Sequence, residues 1–254
     1  MGRNMADRVA IVTGAGSGIG RATALRLAAD GYGLTLAGRR VDRLKETADL
    51  TDPPGRTLVS NCDVTDAEAV TAMITATQER FGRIDALVNN AGISRTAAFS
   101  TVTLAGWREV MAFDVESIVL VTQTALPDLL LSRGSVVNVA SVAGLGGDPG
   151  MTMYNAAKGA MVNLTRSLAV ELAPRGVRVN AVAPSLTTTD ATADIPPDDV
   201  AQFVQRIPLG RAAEPEEIAD VIAFLAGPDA RFVTGVVLPV DGGLRASSGQ
   251  PPHR

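Results

Sequence analysis

The chain has one cysteine and one histidine among its 254 residues. A lone Cys62 excludes a disulfide within the chain and any zinc or iron–sulfur site built from several cysteines, and it indicates a protein that stays reduced inside the cell. The single histidine, His253, stands next to last in a tail rich in Ser, Gly and Pro. Ser-His-Asp hydrolysis and His-ligated metal chemistry therefore lack their essential residue, and we expect no metal site.

The chain also lacks an excess of positive charge and long hydrophobic runs. It has 23 Lys and Arg against 27 Asp and Glu, a net charge of −4, and no basic stripe that would bind a nucleic acid. No apolar run approaches the ~20 residues of a membrane span. The first residues, MGRNMADRVAIVTG, have too short an apolar run for a signal peptide. We expect a cytoplasmic protein that binds neither nucleic acid nor membrane.

The sequence does contain a regular alternation of apolar, β-rich runs and helical patterns. With 254 residues, 46% of them apolar, residues 1–254 suit one α/β domain. Strands are predicted at 8–13 and 33–37, in a segment that ends in NCDV (61–64), and at 84–88, 135–140, 177–182 and 236–240. Helices are predicted near 21–30, 41–50, 66–81, 107–130, 154–172 and 214–225. This spacing predicts a doubly wound parallel sheet of about seven strands with helices on both faces.

A glycine-rich segment, GAGSGIG at 14–20, follows the first predicted strand and precedes a helix. Strand, glycine turn and helix in that order place free backbone N–H groups and the positive end of a helix dipole where a pyrophosphate binds. The glycines are Gly14, Gly18 and Gly20, and Ile19 replaces the last glycine of the commoner Gly-x-Gly-x-x-Gly fingerprint. An ordinary tight turn is the alternative.

Two cations, Arg39 and Arg40, follow the second predicted strand. Dinucleotide folds that select NAD place an acidic residue near this point, about twenty residues after the glycines, where it binds the ribose 2′-hydroxyl. Here Gly38 and Arg39 stand instead, and because cations suit a 2′-phosphate, NADP(H) is favoured over NAD(H). The alternative is that both arginines only solvate a helix start.

Polar groups end the next two strands as well. Asp63 either accepts a hydrogen bond from an adenine amino group or caps the helix that begins near Asp66, and the two roles are compatible. NNAG at 89–92 ends the fourth strand. Its small residues allow a ligand to approach the backbone in the crevice where open parallel sheets bind cofactors.

Tyr154 and Lys158 are four residues apart in a predicted helix and therefore lie side by side. A neighbouring ammonium favours the phenolate, so we expect the pKa of Tyr154 to fall below its ordinary ~10 and to suit general acid–base catalysis. Ser141 follows an apolar strand, where its hydroxyl is able to bind the oxygen that Tyr154 protonates. The alternative is a chance pair on a surface helix.

Together these motifs resemble the short-chain dehydrogenase/reductase family in its compact, single-domain form. The matching segments are TGAGSGIG (13–20), NNAG (89–92), Ser141, Tyr154 with Lys158, VNAVAPS (179–185), PLGR (208–211) and VDGG (240–243), so the resemblance covers residues 8–243. It implies a Rossmann-type fold. It also implies that Tyr154 is the acid/base, that Ser141 orients the substrate carbonyl, and that Lys158 binds the nicotinamide ribose and lowers the pKa of Tyr154.

The resemblance further implies a set of cofactor-binding residues. Ile19 is assigned to the nicotinamide side of the glycine turn and Thr189 to the carboxamide. The full set is Gly14, Ser17, Gly18, Ile19, Gly20, Arg39, Asp63, Val64, Asn90, Ala91, Gly92, Tyr154, Lys158, Pro184 and Thr189.

The chain departs from the family pattern at two positions. Seven residues after Trp107 the family has an asparagine whose surroundings hold a proton-relay water, and this chain has Asp114 as its candidate for that catalytic role. If the role depends on the backbone carbonyl at this position, Asp114 still serves. An ionised Asp114 near Lys158 would partly cancel the field of the ammonium at Tyr154, so we expect an active enzyme with a more alkaline optimum for oxidation. Ser185 replaces the usual glycine after Pro184, which predicts slightly tighter packing beside the nicotinamide.

Residues 185–207 form a loop that is long for a compact domain and is predicted to be a lid over the substrate, with plain disorder as the alternative. Residues 244–254 are predicted to be a flexible tail. The predicted helix 154–172 is apolar on almost all sides, which favours cover by a second subunit in a homo-oligomer, a tetramer or dimer as in the family. A helix enclosed within one subunit would give the same pattern.

The leading hypothesis is an NADP(H)-dependent reductase of a small-molecule ketone, including 3-oxoacyl thioesters, or a dehydrogenase of the matching secondary alcohol. The alternative is a nucleotide-binding protein with impaired catalysis that acts as a sensor or scaffold. A sugar-nucleotide epimerase is disfavoured by the glycine spacing and by the lack of a larger carboxyl-terminal substrate region. Candidates for the substrate pocket are Ser94, Arg95, Leu145, Asp148 and Leu186.

Overall fold

The computed structural model describes residues 8–51 and 55–246, and in this part of the chain seven parallel strands form one sheet in the order β3-β2-β1-β4-β5-β6-β7. The strands are β1 (Val9–Thr13), β2 (Gly33–Gly38), β3 (Thr57–Asn61), β4 (Ala86–Asn89), β5 (Ser135–Val139), β6 (Arg178–Pro184) and β7 (Val237–Val240). The strand order reverses between β1 and β4, where an open α/β sheet leaves a crevice at its carboxyl edge. The predicted doubly wound fold is confirmed.

Helices connect the strands and cover both faces of the sheet. They are α1 (Gly18–Ala29), α2 (Val41–Asp49), α3 (Ala67–Phe81), α4 (Leu104–Met111), α5 (Ser117–Ser132), α6 (Thr152–Leu172), α7 (Pro197–Gln205) and α8 (Pro215–Ala226). Helix α1 begins at Gly18 rather than at the predicted Arg21, because the end of the glycine turn already forms the first helical turn.

The core forms on the two faces of the sheet because alternate strand residues point to opposite sides. Ala10 and Val12 pack with α1 and α8 on one face, and Ile11 packs with α3 and α5 on the other. All three strand residues are fully buried. A parallel sheet buried on both faces needs such continuous apolar strands.

Residues 104–132 form α4, a π-helical segment (Ala112–Glu116) and α5, rather than one regular helix. Single-turn π segments inside helices occur frequently at functional sites. Here the segment carries Asp114, which is fully buried. Trp107, on α4, is partly buried against Val110 and Met153, as expected for a packing residue.

The same stretch corrects the expectation that nothing in the chain resembles a membrane span. Leu104–Ser132 has 29 residues and a mean hydropathy of 1.3 in its most apolar window, so its length and composition alone would allow it to cross a membrane. Core helices share these properties, and here Val121, Ala125 and Leu129 are buried in the core against α3 and the sheet. Core packing therefore accounts for part of the apolar character of this stretch, of whose most apolar window 39% is buried, while Leu131 near its end is 86% exposed.

Two segments are more ordered than predicted. The loop at 185–207 contains a 3-10 turn (Asp190–Thr192) and α7, whose first turn carries proline and two aspartates, residues that favour a helix start. In the predicted flexible tail, the N–H of Arg245 donates to the carboxylate of Asp241 at 2.8 Å, so residues 244–246 form a defined turn. The rest of the tail, 247–254, lies outside the described residues.

Candidate active site

A cleft of ≈ 470 Å³ opens at the carboxyl edge of the sheet, above the crevice between β1 and β4. Most of the residues predicted from the sequence to bind a cofactor or to act in catalysis line it. They are Gly14, Ser17, Gly18, Ile19, Gly20, Arg39, Val64, Asn90, Ala91, Gly92, Ser141, Tyr154, Lys158, Pro184 and Thr189. Segments far apart in the sequence therefore meet at one site.

Asp63 and Asp114 are not among the lining residues. The Asp63 carboxylate accepts hydrogen bonds from the Thr65 N–H and hydroxyl, and the backbone N–H is the main reason that its pKa is lowered. Of the two roles considered for Asp63, the cap of the following helix is therefore wrong. Asp66 is the N-cap of α3, accepting from the Glu68 N–H at 2.9 Å.

The glycine turn between β1 and α1 is packed too tightly for side chains. A Cβ atom at Gly20 would lie 2.2 Å from the Gly14 carbonyl oxygen and 2.5 Å from the Asn90 amide nitrogen. Gly18 has φ +50°, a conformation that favours glycine. Ser17 is the N-cap residue of α1, but its side chain accepts no hydrogen bond from the helix. The Ser17 side chain therefore leaves the first N–H groups of α1 available at the cleft. The turn fits the pyrophosphate of a dinucleotide.

The two arginines after β2 both line the cleft. The Arg39 guanidinium lies 5.0 Å from the centre of the Phe113 ring and 3.9 Å from the Asp63 carboxylate. Arg40 donates a hydrogen bond to the Ser17 hydroxyl at 3.0 Å and is also the N-cap residue of α2. The alternative that these cations sit at a helix start therefore describes Arg40 correctly, yet both side chains border the cleft.

The segment after β6 closes over the glycine turn. A Cβ atom at Gly18 would meet the Thr189 side chain at 3.0 Å, so the two segments are in contact. The Thr192 hydroxyl donates to the Thr187 carbonyl at 2.8 Å, and the Thr188 N–H donates to the Ala213 carbonyl at 2.8 Å. These bonds give the predicted lid a fixed base beside the cleft.

Ser141 begins the connection from β5 to α6. Its hydroxyl oxygen accepts a hydrogen bond from the Ala143 N–H at 3.1 Å, so Ser141 is the N-cap of a 3-10 turn (Val142–Leu145). Because this N–H occupies one lone pair of the oxygen, the hydroxyl proton remains free to be donated into the cleft.

Tyr154 and Lys158 lie one turn apart on α6, as the i, i+4 spacing predicts. The Lys158 ammonium is 5.5 Å from the centre of the Tyr154 ring and donates to the Val139 carbonyl at 3.2 Å. Only 4% of Lys158 is exposed. A buried ammonium needs polar partners, and β5 supplies one of them.

Asp114 supplies the second partner of the ammonium from the π-helical segment. One carboxylate oxygen, Oδ2, lies 3.5 Å from the Lys158 Nζ atom, and the other, Oδ1, accepts from the Ile93 N–H at 2.7 Å. Oδ2 makes no hydrogen bond within the described part of the chain, so its contact with Lys158 is an ion pair without a close hydrogen bond. Burial raises the pKa of the Asp114 carboxyl, while the ammonium and the Ile93 N–H act in the opposite direction.

The cleft also includes residues that the sequence did not identify as functional. Phe113, Thr187, Ala191 and Thr192 line it, as does Cys62. Burial raises the pKa of the Cys62 thiol to about 11, so this cysteine is a neutral packing residue. The only sequence feature that could have indicated a role for Phe113 is its position next to Asp114. That feature becomes informative only when the π-helical segment is known.

The predicted substrate-pocket residues divide into three groups. Ser94 and Leu186 line the cleft. Arg95 lines a neighbouring pocket of ≈ 410 Å³ that shares Ser94 with the cleft, and its guanidinium is paired with Glu109 at 2.5 Å. Among the described residues, Leu145 and Asp148 line neither pocket.

Comparisons with known proteins agree with this geometry. Residues 14–245 match the family described as Enoyl-(Acyl carrier protein) reductase. The chain is 46% identical to meso-2,3-butanediol dehydrogenase of Serratia marcescens over 248 residues, which cover 96% of this chain and 97% of the relative. It is 40% identical to the 3-oxoacyl-(acyl-carrier-protein) reductase FabG of Thermotoga maritima over 242 residues, which cover 93% and 97% of the two chains.

The fold also matches that of a solved structure. The crystal structure of levodione reductase matches with a TM-score of 0.92 at 38% identity, covering 96% of this chain and 100% of that one. The matches extend over almost the whole sequence and include the glycine turn, the Ser141 segment and the helix that carries Tyr154 and Lys158. The chain therefore belongs to the short-chain dehydrogenase/reductase family.

Proposed function

We propose that this protein is an NADP(H)-dependent oxidoreductase that transfers a hydride between nicotinamide and a ketone or the matching secondary alcohol. The observation that carries the proposal is that Ser141, Tyr154 and Lys158 line the same cleft as the glycine turn. Members of the family are oxidoreductases that use nicotinamide cofactors. A bound nicotinamide supplies the hydride for ketone reduction or accepts it in alcohol oxidation.

The residues of the cleft transfer the proton and position the substrate and the ribose. In reduction, the Tyr154 phenol gives its proton to the carbonyl oxygen of the substrate, and the Ser141 hydroxyl donates a hydrogen bond to the same oxygen. The Lys158 ammonium stabilises the phenolate that is left and holds the ribose beside it. In oxidation the phenolate takes the proton of the alcohol, and the same contacts operate in reverse.

The arginines support the choice of NADP(H). Arg39 and Arg40 border the cleft at the end of β2, where an NAD-selective fold has an acid. Phe113 lies against Arg39, and the Asp63 carboxylate is 3.9 Å away, a distance that leaves the guanidinium free to bind a 2′-phosphate. Val64, Asn90, Pro184 and Thr189 complete the proposed cofactor site.

The substrate is proposed to be a small-molecule ketone or alcohol, with 3-oxoacyl thioesters included. Relatives whose names state such substrates, a butanediol dehydrogenase and a 3-oxoacyl-(acyl-carrier-protein) reductase, support this class. Residues 185–207 form the proposed lid, within a single cytoplasmic domain. The buried Cys62 thiol suits a reducing compartment.

A second candidate function is a catalytically impaired NADP-binding sensor or scaffold. The Asp114 carboxylate favours it, because a negative charge 3.5 Å from the Lys158 ammonium opposes the effect of that ammonium on Tyr154. The intact Ser141, Tyr154 and Lys158 oppose it. Oxidation of NADPH by a panel of ketones, followed by cofactor absorbance, distinguishes an enzyme from a sensor.

Tyr154→Phe tests the acid–base role. The variant loses the proton donor, so we expect turnover of any accepted ketone to fall about 10²–10⁴-fold while NADPH binding is unchanged. Tyr32→Phe is the matched control, because Tyr32 is the other of the two tyrosines and lies in the core away from the cleft. Turnover by Tyr154→Phe equal to that of Tyr32→Phe would remove Tyr154 from the reaction.

Arg39→Ala tests cofactor selection. Loss of a charge-assisted bond to the 2′-phosphate costs about 1.5–3 kcal/mol, so we expect NADPH affinity to fall about 10–100-fold and NADH affinity to change little. Arg43→Ala is the control, since Arg43 lies on α2 and pairs with Glu46. Both affinities are measured by fluorescence titration, and tighter binding of NADH than of NADPH by the unaltered protein would refute the role of Arg39.

Asp114→Asn tests the buried carboxylate. Oxidation requires the Tyr154 phenolate, and removing a negative charge beside Lys158 stabilises that phenolate. We therefore expect the acid limb of the pH–rate profile for alcohol oxidation to move down by about 0.5–1 pH unit. Asp128→Asn on α5 is the control, because Asp128 bonds to Gln78 outside the cleft. Superimposable profiles of Asp114→Asn and the unaltered protein would contradict this prediction.

We propose a homo-oligomer, a tetramer or dimer. Helix α6 leaves Val170 79% exposed, and α5 leaves Leu131 86% exposed, so apolar side chains face outward on two helices that cover the same side of the sheet. Light scattering is expected to give two or four times the mass of one chain, and Val170→Asp is expected to lower it. A mass of one chain at micromolar concentration would contradict the proposal.

A further inference from the structure

The turn that carries Ser141 is fastened to α6 by the residue next to Tyr154. The Asn155 side-chain amide donates to the Ala143 carbonyl at 3.0 Å and to the Gly146 carbonyl at 3.1 Å. The same nitrogen lies 3.1 Å from the Asp148 carboxylate. One side chain therefore contacts three points along the segment between Ser141 and α6.

The contact at Ala143 leads directly to the serine. Ala143 donates its own N–H to the Ser141 hydroxyl oxygen at 3.1 Å, and it is buried, with 5% exposed. Gly144 donates its N–H to the Ser141 carbonyl at 2.9 Å. A displacement of Ala143 would therefore move the hydroxyl that faces the cleft.

The turn also rests against the helix one turn beyond Asn155. A Cβ atom at Gly144 would lie 2.6 Å from the backbone carbonyl of Lys158, so the two backbones are in direct contact. Asn155 itself is held in the helix by its N–H bond to the Met151 carbonyl at 2.8 Å. The amide of Asn155 thus joins the Ser141 turn to the same rigid helix that carries Tyr154 and Lys158.

The far end of the segment has separate supports. Arg245 donates to the Leu145 carbonyl at 2.6 Å, and the Met151 N–H donates to the Asp148 carbonyl at 3.2 Å. Both contacts lie beyond Ala143, so they hold the distal half of the segment. The half nearest to Ser141 depends on Asn155 and on the packing of Gly144.

We propose that Asn155 is a positioning residue that sets the separation of the Ser141 hydroxyl from the Tyr154 phenol. This inference rests on the proposed carbonyl–alcohol oxidoreduction. Because Asn155 acts through Ala143, its loss affects the alignment of the substrate oxygen more than the binding of the cofactor. Displacing a catalytic group by about 1 Å lowers the reaction rate by as much as about 10²-fold.

Asn155→Asp is the principal test. The variant keeps the size of the side chain but replaces the amide donor by a carboxylate that faces two carbonyls and Asp148. We expect kcat for ketone reduction to fall about 10–100-fold with less than about a threefold change in the Kd for NADPH. The double variant Asn155→Asp/Asp148→Asn restores a donor opposite the new carboxylate and is expected to recover part of kcat.

A second readout does not require turnover. Amide hydrogen exchange, followed by mass spectrometry of peptides from 140–150, is expected to be faster in Asn155→Asp at the Ala143 and Gly144 N–H groups. Asn155→Ala, which introduces no charge, is expected to show the same loss of kcat and faster exchange, and it decides the question if the aspartate variant does not fold.

The outcomes separate the two proposals. If the unaltered protein reduces no ketone but exchange still accelerates in the variants, the proposed function fails and the anchoring contact stands. If the unaltered protein is active and both Asn155 variants keep its kcat and its exchange rates, the positioning role of Asn155 is overturned.

Discussion

The buried ammonium of Lys158 is the constraint on which the cleft depends. A charge removed from water is costly unless polar groups surround it, and Lys158 has only 4% of its surface exposed. Its partners come from three elements: the Val139 carbonyl at the end of β5, the Asp114 carboxylate in the π-helical segment and the Tyr154 ring on α6. These elements must converge for the lysine to be buried, and their convergence forms the end of the cleft that we propose to be catalytic.

The parallel sheet makes this convergence possible. Its strands are buried on both faces, so their carboxyl ends lie along one edge, and the strand order reverses between β1 and β4. The glycine turn after β1 and the Ser141 turn after β5 are therefore neighbours in space, although they are distant in sequence. Both turns are fixed by glycines at places where a side chain would meet backbone, Gly20 against Gly14 and Gly144 against Lys158.

The features that the sequence predicted are those set by short-range rules. Alternating strands and helices gave the sheet, and the i, i+4 spacing gave the proximity of Tyr154 and Lys158. The π segment around Asp114, by contrast, arises where a carboxylate turns inward to meet the Ile93 N–H and the Lys158 ammonium, which are contacts across the fold. The hydrogen bond from Asn155 to Ala143 also joins two separate elements, so no local sequence pattern predicts it.

Two carboxylates beside the cleft are paired with cations, Asp63 with Arg39 and Asp114 with Lys158, and the two pairs differ in electrostatic strength. Arg39 and Asp63 are 3.9 Å apart with 61% and 38% of their side chains exposed, and such surface pairs contribute roughly 0–1 kcal/mol. Lys158 and Asp114 are 3.5 Å apart with 5% and 0% exposed, where water screens little. In the proposed mechanism, Asp63 therefore leaves the Arg39 guanidinium available to a phosphate, whereas Asp114 lies close enough to Lys158 to oppose the field of that ammonium at Tyr154. In the proposed reaction, the acid that replaces the family's asparagine therefore affects proton transfer far more than the acid beside Arg39 affects cofactor choice.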